Sequence, residues 1–149
     1  MHEEALATQQ LMLDQSNSRR VYYSSMLSAI SVLAAFHFEL YDFTLLAVMV
    51  LVNSINYWRH PIPGWRRNLD MICAAGVCWY QMFASFNLHS QFFFMGYWIM
   101  LAIAIFAYLM ARRHGRLYQD FDMASRWHVG LHIFANISNV ILYCGFGLQ

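Results

Sequence analysis

Apolar and polar positions alternate along this chain in long blocks. Five mainly apolar runs, at roughly 21–37, 40–58, 69–87, 91–111 and 124–146, are separated by short polar ones. Each meets or approaches the roughly 17 to 25 residues that a transmembrane helix needs. The longer connections are residues 59–68 ("RHPIPGWRRN") and 112–123 ("RRHGRLYQDFDM"), and the Pro61-Ile62-Pro63-Gly64 run ends the second span. No internal repeat or low-complexity segment is present, and there is no room for a second domain. The expected fold class is therefore all-α: an integral membrane bundle of about five transmembrane helices spanning residues 21–149. Residues 1–20 form a cytoplasmic-side segment in which "EEALATQQLMLDQ" predicts a short amphipathic helix, and they lack the apolar run of a cleavable signal peptide.

Composition strengthens the membrane reading. Of 149 residues, 60% are hydrophobic and 11% charged, against about 25% charged in soluble domains. A net charge of +1 gives no bulk attraction for nucleic acid. All nine basic residues are arginine, and the lack of lysine removes Schiff-base chemistry and the P-loop lysine. Cys73, Cys78 and Cys144 sit in apolar stretches without metal-ligand spacing and read as buried thiols.

The arginines also orient the bundle. Arg19 and Arg20 precede the first span. Arg59, Arg66 and Arg67 lie between the second and third, and Arg112, Arg113, Arg116 and Arg126 flank the connection between the fourth and fifth. Five spans put them all on one side, which the positive-inside rule makes the inner one: N-terminus inside, C-terminus outside.

That topology gives the polar residues a depth. His128, His132, Asn136, Asn139 and Tyr143 are spaced to make one stripe down the fifth span, and Asn53, Asn56, Tyr57 and His60 make another on the second. Asp70 opens the third span on the same side, leading to Cys73, Val77, Tyr80 and Gln81. Polar groups facing lipid are costly, about 2.5–3.5 kcal/mol for a charged one at mid-membrane, so the stripes are expected to surround a polar cavity open inward. Ser24, Ser28, Ser31 and Ala35 form a small-residue packing face on the first span. His37 and His89 belong to the other side, and His114 to a charged loop.

His60, His128 and His132 at one depth suit a catalytic zinc, which takes three protein ligands and keeps a position for water. Asp70 would then be the general base or orient a ligand. The plainer reading is that His-x-x-x-His at an interface hydrogen-bonds loops or headgroups. Haem is a poorer fit, since histidines on adjacent turns cannot both ligate one haem axially, and a di-iron site needs more histidine clusters.

The same residues resemble those of the superfamily of alkaline ceramidases and progestin/adiponectin-type receptors. Its members carry a Ser-x-x-x-His ending the second core helix, an Asp on the third and His-x-x-x-His on the last. Here "NSINYWRH" supplies His60, "RRNLDM" supplies Asp70 and "WHVGLH" supplies His128 and His132. The resemblance implies one zinc ion held by His60, His128 and His132, and hydrolysis of a lipid amide or ester from the inner leaflet by a ceramidase-like enzyme. Asn56 stands where the family has its serine, and the family core has seven spans rather than five. The alternative is a non-catalytic structural or accessory subunit of a larger membrane complex, partnered by other membrane subunits as well as lipid.

Overall fold

The computed structural model describes residues 15–149, which are all-helical, with no strand among them. The N-terminal amphipathic helix expected before residue 15 lies outside the described residues. Helices α1 (Gln15–Ser25) and α2 (Ser28–His37) form one bent rod, followed by α3 (Tyr41–Trp58), α4 (Trp65–Ser85) and α5 (Gln91–Arg113). A π-helical turn, His114–Tyr118, then leads into the long α6 (Phe121–Gly147).

Four rods match an expected apolar run to within about four residues at their ends, whereas the first is helical from Gln15, within the segment expected to precede the first run, and some of the differences have local causes. The first span is broken at Met26 and Leu27, although no proline or glycine stands there. Ser24 and Ser25 turn their hydroxyls back onto the carbonyls of Val21 (2.9 Å) and Tyr22 (2.7 Å). The amides of Met26 and Leu27 then bond three residues back, to Tyr23 and Ser24. Hydroxyls that compete for helical carbonyls bend helices in this way. The last helix begins before residue 124 because Asp120 caps it, its carboxylate accepting from the Met123 amide at 3.0 Å.

Small residues set how closely the helices approach. Tyr97, Leu101, Ala104, Ala107 and Ala111 are the buried residues of α5. Gly130 of α6 lies over Ala107, and a Cβ built at Gly145 would meet Leu88 and Phe93 at 2.8 Å. The bent rod lies against α6, α2 against α3, and α4 chiefly against α3. The apolar centre joins Ala35, Phe43, Tyr97, Leu101, Leu142 and Tyr143.

The rest of the distribution is inverted relative to a water-soluble domain. Ser24, Ser31, Ser54, Gln81, Ser85, Ser125, Asn136 and Ser138 are buried, whereas Leu33, Leu45, Ile72, Phe83, Phe92 and Leu109 point outward. Two helices, Gln91–Tyr118 and Phe121–Gly147, are long and apolar enough to cross a membrane. The others are interrupted or more polar: the first rod by its bend, α3 by Asn53 and Asn56, α4 by Arg66, Arg67 and Asp70.

Ser31 joins the bent rod to α6. It donates to the Asn136 side-chain carbonyl at 2.5 Å and accepts from the Asn139 amide at 3.2 Å. Interhelical hydrogen bonds of this kind contribute on the order of 1 kcal/mol. Ser31→Ala should therefore lower the unfolding free energy in detergent by about 1 kcal/mol. Ser31→Leu, which also overfills the contact, should cost at least about 2 kcal/mol more. Equal melting of both variants and wild type would remove Ser31 from the helix contact.

Candidate functional site

A cavity of about 210 Å³ lies at the arginine-bearing end of the bundle, where α3 stops, α4 starts, α5 ends and α6 begins. Its wall contains Tyr57 and Trp58 from α3, Arg67, Asp70 and Met71 from α4, and Tyr108, Ala111 and Arg112 from α5. Gly115 and Arg116 of the π-turn and Phe121, Ala124 and His128 of α6 complete it.

Asp70 is held by Ser54, whose hydroxyl donates to its Oδ1 at 2.6 Å. Ser54 is buried one turn before Trp58, so the end of α3 both anchors the carboxylate and covers its neighbour. The Trp58 ring meets the His128 imidazole edge-on, with centroids 4.8 Å apart. His128 in turn meets His132 edge-on at 5.0 Å.

His132 sits one turn further from the cavity, with Nδ1 2.8 Å from the Ser24 hydroxyl oxygen. The same hydroxyl lies 2.9 Å from the Val21 carbonyl, so which of Ser24 and His132 donates follows the ring's tautomer.

The expected site residues therefore separate into three groups. Asp70, Tyr57 and His128 line one cavity, and His132 touches His128. Asn136, Asn139 and Tyr143 line a seam between helices instead. Asn136 donates to the His132 carbonyl at 2.6 Å and pairs with Ser31, Asn139 reaches Ser31, and Tyr143 accepts from the Gln81 amide at 2.9 Å. Asn136 also borders an outer apolar groove with Ile30, Ile133 and Ile137. Asn53 turns back onto the Met49 carbonyl of its own helix at 2.9 Å, and Asn56 does not line the cavity. His60 is exposed just beyond α3.

That separation bears on the zinc expectation. Among the described residues no three histidines, cysteines or carboxylates lie close enough together to hold a metal ion. His128 and His132 are neighbours, but the third expected ligand, His60, is not beside them. The described residues hold no preformed three-donor group, so no chemical step is assigned to a zinc.

Four contributors to the site escape a reading of polar stripes: Ser54, Arg67, Arg112 and Arg116. A signal for Ser54 exists in its spacing of three and four from Tyr57 and Trp58, which puts the three on one helix face. The arginines are legible only as topology determinants until the helix ends are seen to converge.

No family model, curated protein or solved structure matches the chain.

The donor geometry predicts the metal content. Protein purified in detergent without chelator should hold zinc well below one ion per chain by elemental analysis. Near-stoichiometric zinc that is lost in both His60→Ala and His132→Ala would restore the three-histidine site.

Proposed function

We propose that the chain is a multi-pass membrane protein of five spans, its N-terminus on the arginine-bearing side, which acts on a membrane lipid as a hydrolase-like enzyme from that side. The observation that carries this reading is that Asp70 and His128, from two different helices, wall one cavity at the end of a bundle with an apolar exterior. The two long apolar helices and the placement of all nine arginines support the embedding.

The chemistry follows from the groups in the wall. A neutral His128 imidazole is a general base for a water molecule, and Asp70, fixed by Ser54, is an acceptor that orients water or substrate. Water adds to the amide or ester carbonyl, the C–N or C–O bond breaks, and the proton taken by the base returns to the leaving group. The guanidinium groups at the rim suit the negative charge that develops on the carbonyl oxygen. Amide or ester as the scissile bond comes from the resemblance to the ceramidase and receptor superfamily.

An accessory subunit is the second reading, favoured by the outer groove of about 430 Å³ between the bend of the first rod and α6. Its lining of Leu27, Ile30, Ile133, Ile137, Val140 and Ile141 around Asn136 suits a neighbouring apolar helix.

Turnover separates the two readings. Reconstituted in vesicles with a panel of lipid amides and esters, the wild type should release fatty acid. His128→Ala and Asp70→Asn should each slow release by roughly a hundredfold or more. Release that is absent from the wild type, or undiminished in both variants, would leave the subunit reading. The topology has its own check in glycosylation mapping. Acceptor sites placed in the 87–90 hairpin and after Gln149 should be modified, whereas one placed in 60–64 should not. The reverse pattern, or modification at all three, would overturn the orientation.

A further inference from the structure

The cavity carries more positive charge than an uncharged amide or ester requires. Arg67 of α4, Arg112 at the end of α5 and Arg116 of the π-turn reach it from three elements, against the single carboxylate of Asp70. None of the three makes an ion pair among the described residues. By contrast, Arg20 and Arg126 both hold Asp122, at 2.8 and 2.9 Å. Arg67 is half-buried. Arg112 is positioned by Tyr108, another wall residue, donating to its phenol oxygen at 3.1 Å with the guanidinium carbon 5.6 Å from the ring centroid. Arg112 and Arg116 are exposed, and arginines without a carboxylate partner that border one space are suited to a phosphoryl group, which guanidinium groups bind through paired, charge-assisted hydrogen bonds.

Size and access narrow the ligand. About 210 Å³ takes a small headgroup and not a whole lipid. Beside the cavity, α4 is packed chiefly on α3, so the acyl chains of such a lipid would have to stay outside the bundle.

We propose that Arg67, Arg112 and Arg116 form a binding site for a phosphate monoester anion, presented as the headgroup of an anionic phospholipid such as phosphatidic acid. The inference rests on the lipid-facing cavity proposed above and is independent of turnover there. A phosphomonoester offers up to two negative charges to three cations, whereas the phosphocholine headgroup carries its own cation towards them.

The test uses the full chain in nanodiscs, with bound lipid read by native mass spectrometry and competition between lipids. Wild type should retain phosphatidic acid over phosphatidylcholine by about tenfold or more. Arg67→Gln, and Arg112→Gln with Arg116→Gln together, should each reduce that preference about tenfold. Arg59→Gln and Arg66→Gln, outside the cavity wall, should leave it within about twofold. Equal losses in all variants would reduce the effect to general attraction of an arginine-rich surface and overturn the site. So would the absence of any preference in the wild type. Inorganic phosphate that binds detergent-purified protein as tightly as the lipid does would overturn the lipid as source. His128→Ala supplies the separation from catalysis. Retained phosphatidic acid preference in that variant, with no hydrolysis by any form, would sink the hydrolase reading and leave this site standing.

Discussion

A buried side-chain amide on the last helix governs how the bundle is put together. Asn136 has a donor and an acceptor to satisfy where the surroundings are apolar, and an unsatisfied polar group there is destabilising by several kcal/mol on the order typical of hydrocarbon. Its donor goes to the His132 carbonyl and its acceptor to Ser31. The second partner is on another helix, so satisfying one residue fixes the register of α2 against α6. Ser24 with His132, Ser125 with Asn17 and Gln81 with Tyr143 repeat the device at other depths. Directional bonds inside and nonspecific apolar contact outside give the helices one arrangement in preference to many.

The cavity follows from how unevenly those ties are distributed. One end of α4 is held to α6 by Gln81 and Tyr143, and Tyr80 meets Phe43 edge-on at 5.5 Å. Its other end carries Arg67 and Asp70 and is tied to α3 through Ser54. With α5 and α6 packed on each other along small residues, the arginine-bearing end of α4 has no comparable surface to close upon. The opening is the part of the bundle that the ties leave unzipped.

Much of the architecture was legible in the sequence because it depends on periodicity. The five apolar runs coincide with five rods, and of the small-residue face Ser24, Ser31 and Ala35 are buried and Ser28 half-buried. The bend at Met26 was not legible, since it arises from where two hydroxyls donate rather than from a helix-breaking residue. The site was legible only in part. Asp70 and His128 share a cavity, but spacing along one helix cannot say which neighbour its polar stripe meets. Asn136, Asn139 and Tyr143 meet serine and glutamine, so most of that stripe joins helices. His60 lies past the end of its helix, where helical periodicity no longer gives a side chain's direction.

The unequal apolarity of the rods has a consequence for biogenesis. Translation delivers the bent rod, α3 and α4 first, with Asn53, Asn56, Arg67 and Asp70 aboard. The two helices long and apolar enough to cross a membrane emerge last. In the proposed membrane setting, the early helices emerge before His132, Asn136 and Asn139, the α6 partners of Ser24 and Ser31. A ribosome that stops before α6 leaves a chain whose polar face has nothing to zip against, and quality control can read that face as unfinished.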